Sequence, residues 1–231
     1  MPDKFVLKIE EVIQETPDTK TFRLRPEKEI DFKAGQFLML SMEIDGKKVD
    51  RPYSISSSPT DELPEITFKL NEKGTFTPRL YKLEKGDSIE AKGPYGVFLL
   101  DENADRITFL SGGVGITPFR SMWRYVIAKK LPAEMTLLYC ARTPEDIVYR
   151  KELQSMDSRM KVVITITRPE TSSEKWEGPT GRLCGPFLQK NVEDPEKSVY
   201  YLCGPEGMVH DMEACLKEIG ISPKMIRKEK W

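Results

Sequence analysis

The fold of this chain is decided by one stretch, Leu110-Ser111-Gly112-Gly113-Val114-Gly115-Ile116-Thr117-Pro118. An apolar run at residues 107–110 predicts a buried strand, and after Pro118 the apolar residues recur at helical spacing. Glycines let a backbone approach an anion closely, and the free N–H groups and dipole of a helix start attract its charge. The spacing Gly113-x-Gly115-x-x-Pro118 is a variant of the dinucleotide fingerprint, with proline in place of the third glycine. Taken alone, the stretch predicts either a phosphate-binding turn or a turn kept for packing.

The composition is that of an ordinary soluble globular protein. The chain has 231 residues, a hydrophobic fraction of 39%, a charged fraction of 32% and a formal net charge of −1, so one large domain or two smaller ones can each bury a core. A net charge near zero argues against a nucleic-acid partner and against an anionic membrane surface. The first residues lack the apolar core of a signal peptide, and no apolar run reaches the roughly 20 residues that span a bilayer. We therefore expect a cytoplasmic protein.

The metal-ligating and nucleophilic residue types are sparse. Four cysteines, at positions 140, 184, 203 and 215, are widely separated and form no C-x-x-C pair, so neither a zinc site nor an iron–sulfur cluster is predicted and we expect no metal. The only histidine, His210, lies opposite the apolar face of its predicted helix. A solvated histidine in that position disfavours chemistry based on a histidine base or a Ser-His-Asp triad.

Short β-type runs fill the first hundred residues, separated by turn sequences such as Lys33-Ala34-Gly35 and Lys85-Gly86-Asp87. Many short strands with regular turns predict a small antiparallel barrel or sandwich. One short helix is predicted at residues 78–83. The predicted strands cover residues 5–9, 19–24, 37–42, 66–70 and 88–91.

From about residue 106 strands alternate with helices, which predicts a parallel sheet covered on both faces. The change of period predicts two domains, residues 1–101 and 102–231, joined near residues 100–105. The predicted strands of the second domain cover residues 107–110, 136–140, 162–167 and 199–203, and its predicted helices cover residues 119–129, 149–156 and 208–219.

An unusual extended segment in the first domain reads Arg51-Pro52-Tyr53-Ser54-Ile55-Ser56-Ser57-Ser58-Pro59. In a regular strand, alternation places Arg51, Tyr53 and Ile55 on one side and Ser54 and Ser56 on the other. Arginine binds a pyrophosphate bidentately and a tyrosine face stacks on a flat heterocycle. The composition is equally compatible with a serine-rich edge strand whose arginine is solvated.

Four motifs in this order resemble the ferredoxin–NADP reductase superfamily: Arg51-x-Tyr53-Ser54, Gly93-Pro94-Tyr95-Gly96, the glycine turn at residues 112–118, and Cys203-Gly204-Pro205. The resemblance covers essentially the entire chain. It implies an N-terminal, six-stranded antiparallel β-barrel that binds FAD. It also implies a C-terminal Rossmann-like α/β domain, with a parallel sheet, that binds NAD(P).

The resemblance assigns roles to the flavin-binding residues. Arg51 is implied to pair with the flavin pyrophosphate, Tyr53 to stack on the isoalloxazine, and Ser54 to hydrogen-bond near flavin N5, where hydride arrives. Gly74-Thr75-Phe76-Thr77 is similar to the family's second phosphate loop, with Thr77 donating to the pyrophosphate. A hairpin turn followed by a helix cap is the alternative for Thr77. The implied flavin-binding set also includes Pro52, Lys69 and Gly74.

The second domain is implied to hold the nicotinamide dinucleotide. The implied contacts to its pyrophosphate and ribose come from Gly113, Val114, Gly115, Thr117 and Pro118. Cys203 is implied to lie beside nicotinamide C4, where its thiol helps hold the geometry of hydride transfer, with Gly204 and Pro205 shaping the pocket. The alternative is a small core residue, because Cys203 ends a predicted buried strand.

The choice between NADP and NAD depends on two arginines. The second strand of the domain leads into Ala141-Arg142, with no carboxylate before Glu145, and Thr167-Arg168 resembles the Ser-Arg pair of NADP-dependent members. We therefore favour NADP. Arg142 and Arg168 are alternatively solvated loop residues.

The final residues, Glu229-Lys230-Trp231, resemble the acidic-x-aromatic ending of true ferredoxin–NADP reductases. There the last ring covers the flavin face that nicotinamide must reach. Trp231 is alternatively a packing residue of a terminal strand. With Ser54 and Cys203, Glu229 completes the set of residues implied to be catalytic.

The resemblance implies an FAD-dependent NAD(P)H oxidoreductase that moves hydride between NAD(P)H and FAD. It would pass electrons to a separate acceptor such as ferredoxin, a flavodoxin-like carrier, or an oxygenase or other redox subunit. No plant-type C-x₄-C-x₂-C run occurs in these residues, so no iron–sulfur domain of that type is expected. The alternatives are an NAD(P)H:free-flavin reductase, or a flavin-binding electron-transfer subunit of a larger complex.

Overall fold

A computed structural model describes residues 3–156 and 158–230, and it divides the chain into two compact units. Unit 1 contains the residues up to Leu100 together with helix α2, Thr117–Ala128; unit 2 contains Asp101–Ile116 and the residues from Lys129 onward. The predicted domain ranges, 1–101 and 102–231, remain a prediction. Because α2 belongs to unit 1 but comes after residues of unit 2 in the chain, no single boundary in the sequence separates the two units.

Unit 1 is built on a six-stranded antiparallel sheet in the order β4-β3-β6-β1-β2-β5. An isolated antiparallel bridge between Ile55 and Ile66 brings the two edges together, so the sheet is curled into a half-barrel and the predicted architecture is confirmed. Its elements are β1 (Asp3–Thr16), β2 (Thr19–Pro26), β3 (Phe37–Ile44), β4 (Lys47–Ser54), β5 (Glu65–Lys69), the short helix α1 (Thr77–Leu80) and β6 (Ser88–Tyr95).

Alternation along these strands produces the core of unit 1. Every second residue of β1 from Phe5 to Ile9 is buried, and Leu38 and Leu40 of β3 are fully buried. Phe22 and Phe68 pack edge to face, with ring centroids 4.8 Å apart. The period of two seen in the sequence is therefore the inward and outward alternation of a curled sheet.

A buried carboxylate joins β5 to α2 within unit 1. Glu65 accepts a hydrogen bond from Arg120 Nη1 at 2.6 Å and one from Arg23 Nε at 2.9 Å. The side chains of Arg120 and Glu65 are only 9% and 6% exposed. Arg120 also donates to the Ser56 carbonyl at 3.3 Å, and Arg124 pairs with Asp61 at 3.1 Å. Because buried charges are tolerated only when they are paired, these contacts specify where α2 lies in unit 1.

Unit 2 contains a five-stranded parallel sheet in the order β11-β10-β7-β8-β9, which confirms the predicted α/β class. Its strands are β7 (Arg106–Gly112), β8 (Glu134–Ala141), β9 (Met160–Ile166), β10 (Val199–Gly204) and β11 (Ile226–Lys230). Its helices are α3 (Arg150–Gln154), α4 (Gly185–Asn191) and α5 (Glu206–Glu218). The sequence did not predict α4, and β11 corresponds to the terminal strand that was one of two alternatives for the last residues. No helix of the described residues is long and apolar enough to cross a membrane.

The central strands of unit 2 are apolar runs because both of their faces are covered. All six residues of β10 are buried, and Leu110, Leu202 and Leu216 are part of one core cluster with α4 and α5. Ion pairs connect β11 to α5: Lys228 pairs with Glu213 and Lys230 with Glu206. His210 on α5 is 81% exposed, as predicted.

The buried carboxylate predicts a large loss of stability on neutralisation. Glu65→Gln removes the carboxylate charge that pairs with the buried Arg120 guanidinium, so we expect the free energy of unfolding to fall by about 3 kcal/mol in urea denaturation. Glu10→Gln is the matched control, because Glu10 pairs with Arg25 at the surface of the same sheet, and it should leave the midpoint nearly unchanged. Equal shifts in the two variants would contradict the assignment.

Candidate functional site

The flavin-binding segment predicted from the sequence lies on β4, an edge strand of unit 1. Tyr53 pairs in register with Leu38, and its ring lies between those of Phe68 and Phe76, each with its centroid 6.0 Å away. Burial raises the pKa of the Tyr53 phenol, so the ring is neutral. The half-buried ring is therefore held by aromatic neighbours and has a fixed orientation.

Arg51 lies two residues before Tyr53 and is exposed. Its Nη1 donates to the Asp50 carbonyl at 2.9 Å, and no carboxylate of the described residues pairs with it. Ser54 pairs with Phe37, whose ring is 5.7 Å from that of Tyr95. Because neighbours on a strand alternate, Arg51 and Tyr53 lie on one side of β4 and Pro52 and Ser54 on the other. A guanidinium without a counter-ion beside a fixed aromatic ring suits an anionic, flat cofactor.

The serine-rich turn after β4 is fixed by its neighbours. Ser56 Oγ and Thr67 Oγ1 are 3.0 Å apart, Ser57 Oγ accepts the Glu65 N–H at 2.9 Å, and Ser58 N–H donates to Asp61 at 2.8 Å. Each of these three serines is thus hydrogen-bonded to a neighbouring residue of unit 1. The sequence analysis missed Glu65 and Arg120, whose contacts hold this turn, because their proximity depends on the curled sheet.

The predicted second phosphate loop is closed by its own threonine. Thr77 Oγ1 accepts the Asn71 N–H at 3.0 Å and donates to the Asn71 carbonyl at 3.1 Å. The helix start of the alternative is present, because α1 begins at Thr77-Pro78, but the N-cap is Phe76 and makes no side-chain cap bond. Gly74 N–H also donates to Asn71 at 2.9 Å. Lys69 is paired with Asp18 at 2.8 Å. Pyrophosphate binding by these residues remains a prediction.

The glycine turn of unit 2 follows β7 as a 3-10 turn, Gly113–Ile116, and leads into α2 at Thr117 and Pro118. A Cβ built at Gly115 would lie 2.3 Å from the Cys203 carbonyl oxygen, so only glycine lets this turn approach the end of β10. Gly113 has φ +55°, and a Cβ there would meet nothing within 4 Å. The outer side of the turn is therefore open, and its backbone can approach an anion closely.

A polar row crosses the carboxyl end of the unit 2 sheet. Cys203 on β10 pairs in register with Ser111 on β7 and with Glu229 on β11. Directly paired residues of parallel strands share a face, so the thiol lies between a hydroxyl and a carboxyl group. Ser111 Oγ is buried and has no hydrogen-bond partner among the described residues. The sequence analysis did not select Ser111, although it lies within the deciding stretch.

Burial controls protonation in this row. It raises the pKa of the Cys203 thiol, and the nearby Glu229 carboxylate adds to that effect. Burial also raises the pKa of Glu229. Cys203 is 2% exposed, so at neutral pH it is a protonated thiol and no nucleophile.

Arg142 and Arg168 end adjacent strands of the sheet. Arg168 N–H donates to the Arg142 carbonyl at 2.8 Å. Arg142 donates hydrogen bonds to Asp146 from Nη2 at 2.7 Å and from Nε at 3.2 Å.

The remaining predicted contacts of the second domain are Val114, Gly204 and Pro205. They lie at the same end of the sheet, because Val114 follows β7, Gly204 ends β10 and Pro205 follows it. Trp231 lies outside the described residues, and its predicted role stays a prediction.

These features fit the two cofactors predicted from the sequence. The open glycine turn and the orphaned Ser111 hydroxyl suit a polar ligand at the carboxyl end of a parallel sheet. The unpaired Arg51 beside Tyr53 suits a second ligand with an anionic and an aromatic part. No group of three or more histidine, cysteine or acidic side chains among the described residues is placed to hold a metal.

Two family models match successive parts of the chain, and their order agrees with the order of the flavin and dinucleotide motifs. Residues 6–99 match the oxidoreductase FAD-binding domain and residues 109–214 match the oxidoreductase NAD-binding domain. Ferredoxin–NADP reductase B of Sorangium cellulosum is 32% identical over 213 residues, which cover 87% of this chain and 85% of that protein. This chain belongs to the ferredoxin–NADP reductase superfamily. The predicted cofactors, FAD and NAD(P), are confirmed, and both matched domains are oxidoreductase domains.

Two further comparisons describe its relatives. The glycine betaine monooxygenase reductase subunit of Chromohalobacter salexigens is 35% identical over 228 residues, covering 95% of this chain and 62% of that protein. The chain thus spans less than two thirds of the length of that relative. A ferredoxin NADP+ reductase from Neisseria gonorrhoeae with bound FAD and NADP has the same fold, with a TM-score of 0.84 at 22% identity over 99% of this chain and 98% of that one.

The contact between Gly115 and Cys203 predicts a selective loss of dinucleotide binding. Gly115→Ala places a methyl group against a backbone carbonyl that cannot move aside, so we expect NAD(P)+ affinity, measured by calorimetry, to fall at least about ten-fold. FAD retention should be unchanged, because the substitution lies in unit 2. Gly185→Ala is the control, since its Cβ meets only Cys215 Sγ at 3.9 Å. Normal dinucleotide affinity in Gly115→Ala would refute this interpretation.

Burial of Cys203 predicts low reactivity. In native protein treated with iodoacetamide at neutral pH, the exposed Cys184 should be alkylated first and Cys203 should remain unmodified until the protein is denatured. Peptide mass spectrometry of the quenched digest measures both sites. Labelling of Cys203 as fast as Cys184 would show that its thiol is accessible and ionised.

Proposed function

We propose that this chain takes hydride from NADPH or NADH and passes the electrons, through FAD, to a separate acceptor. The observation that carries the proposal is the close contact of the glycine turn with the end of β10 at Cys203. That contact joins the anion-binding turn to a buried row of thiol, hydroxyl and carboxyl groups. Neither feature serves a packing role alone, since the outer side of the turn is open.

Unit 1 is proposed to bind and orient FAD. When bound, FAD supplies the two-electron and one-electron chemistry that protein side chains lack. Arg51 pairs with the pyrophosphate, because its guanidinium is exposed and lacks a carboxylate partner among the described residues. Tyr53 offers a ring held by Phe68 and Phe76. Ser54 offers a hydroxyl from the opposite side of β4.

Unit 2 is proposed to bind the nicotinamide dinucleotide. Backbone N–H groups of Gly113, Val114 and Gly115 hold the pyrophosphate. The Cys203 side chain positions the nicotinamide as a neutral, compact group, which is consistent with its raised pKa and burial. Ser111 supplies a buried hydroxyl that has no hydrogen-bond partner among the described residues and is free to bind the ligand. Glu229 adds a carboxyl group beside the thiol.

The acceptor is proposed to be a one-electron carrier or an oxygenase component. Two relatives are named as a reductase subunit of a monooxygenase and as a ferredoxin–NADP reductase, and residues 1–231 contain no plant-type iron–sulfur spacing. The arginines that follow β8 and β9 favour NADP over NAD, as the sequence predicts. A ferredoxin or flavodoxin-like protein is the acceptor to test first.

An anaerobic mixing experiment tests the proposal. We expect purified protein to retain yellow FAD through desalting, and NADPH to bleach the flavin absorbance within one turnover, with NADH slower. Cys203→Ala should slow bleaching at saturating NADPH while FAD retention is unchanged, because the thiol positions only the nicotinamide. Added ferredoxin should then restore the colour.

Two results would contradict the proposal. If neither nucleotide bleaches the bound flavin, the reductase function is wrong. If the protein is colourless yet turns over added flavin, the chain is a free-flavin reductase.

A further inference from the structure

Two arginines, Arg142 and Arg168, follow neighbouring strands at the carboxyl end of the unit 2 sheet. In dinucleotide-binding sheets this end lies near the adenosine ribose. Arg142 follows β8 and Arg168 follows β9, and two backbone hydrogen bonds join these strand ends: Thr167 N–H to the Ala141 carbonyl at 3.0 Å and Arg168 N–H to the Arg142 carbonyl at 2.8 Å. In open α/β sheets the ligand lies outside the carboxyl ends of the strands, and the ribose is read near the end of the second strand. Counted from the glycine-turn strand β7, that second strand is β8.

The two guanidiniums differ in their charge balance. Asp146 binds the Nε and Nη2 edge of Arg142 with its two oxygens, at 3.2 and 2.7 Å, and the same carboxylate accepts the Thr143 hydroxyl at 3.1 Å. No carboxylate of the described residues pairs with Arg168. The positive charge of Arg142 is therefore offset within the protein, whereas that of Arg168 is not.

A second carboxylate, Glu145, immediately precedes Asp146 in the chain. Glu145 accepts hydrogen bonds from the Ser172 hydroxyl at 2.8 Å and from the Ser173 hydroxyl at 3.2 Å. Its own backbone N–H and these hydroxyls lower the pKa of Glu145 to about 2, so it is anionic under physiological conditions. It also holds the segment that follows Arg168. Glu145 therefore adds a negative charge that is next to Asp146 in the chain and in contact with the segment that follows Arg168.

This balance affects the two nicotinamide dinucleotides differently. A 2′-phosphate carries nearly two negative charges and is attracted by the arginines but repelled by Asp146 and Glu145. A 2′-hydroxyl is uncharged, and it can donate a hydrogen bond to a carboxylate. An arginine whose charge is already offset by a carboxylate attracts the 2′-phosphate less strongly than an arginine without such a partner.

We propose that Asp146 is a specificity-determining residue of this chain, which offsets the charge of Arg142 and thereby narrows the preference for NADPH over NADH. In this proposal the Arg168 guanidinium is the cation that binds the 2′-phosphate. This inference rests on the proposed function, since it concerns the dinucleotide that the chain uses.

The test compares Asp146→Asn with the unmodified protein. We expect the ratio of kcat/KM for NADPH to that for NADH to rise roughly five-fold, because one carboxylate no longer repels the phosphate. Calorimetry should show 2′,5′-ADP binding tightened by a similar factor, with 5′-AMP changed by less than about two-fold. Arg168→Gln should weaken 2′,5′-ADP binding at least about ten-fold and leave 5′-AMP binding little changed.

Glu174→Gln is the matched control. Glu174 lies on the segment held by Glu145 but pairs with Arg150, not with Arg142, so its neutralisation should leave the NADPH-to-NADH ratio unchanged. Asp146→Ser, which keeps an acceptor for Arg142 without the charge, should reproduce the selectivity change if Asp146→Asn is poorly folded.

Three outcomes separate the hypotheses. Unchanged 2′,5′-ADP affinity in both Asp146 variants would overturn the inference, as would an equal change for 2′,5′-ADP and 5′-AMP, which indicates a purely structural role. Tighter 2′,5′-ADP binding together with a flavin that neither nucleotide bleaches would support the inference while refuting the proposed hydride transfer. The nucleotide fragments undergo no redox reaction, so their affinities do not depend on that function.

Discussion

The absence of a side chain at residue 115 is the constraint on which the site in unit 2 depends. With a Cβ at 2.3 Å from the Cys203 carbonyl oxygen, any other residue would force the turn away from β10. Close approach brings the end of β7, the open glycine turn and the Cys-Gly-Pro segment to one edge of the sheet. A single steric requirement therefore explains why the two motifs, about 90 residues apart in the chain, lie against each other at the same end of the sheet.

Unit 1 depends on a constraint of a different kind. The Glu65 carboxylate is shared by Arg23 and Arg120, and Arg120 also binds the Ser56 carbonyl. Burial makes each charge costly without its partners, so the serine-rich turn after β4 and helix α2 have one low-energy arrangement in this unit. Burial has the opposite consequence for Cys203: together with the nearby Glu229 carboxylate it raises the pKa of the thiol, which stays neutral and is suited to positioning.

Local pattern was sufficient for much of the fold. The β-type runs at residues 5–9 and 37–42 and the apolar run before Gly112 predicted the strands correctly, because the residue types within each run were sufficient to indicate a strand. The terminal strand remained one of two alternatives, because β11 has the largely charged sequence Ile-Arg-Lys-Glu-Lys and is held by β10 and by ion pairs to α5. The helix start at Thr77 was visible in the sequence, whereas the two hydrogen bonds of the Thr77 hydroxyl with the Asn71 backbone depend on the loop conformation.

The sequence by itself determined the superfamily, the two cofactors and the position of the glycine turn, because glycine spacing and the Arg-x-Tyr-Ser segment act through local backbone geometry and side-chain type. Only the tertiary structure decided which charges are offset and which groups are orphaned. Ser111 lacks a partner, Arg142 is bound by Asp146 and Glu65 holds Arg120, and none of these facts is visible in residue identity. The physical reason is that pairing and desolvation depend on which atoms the fold brings within hydrogen-bond distance.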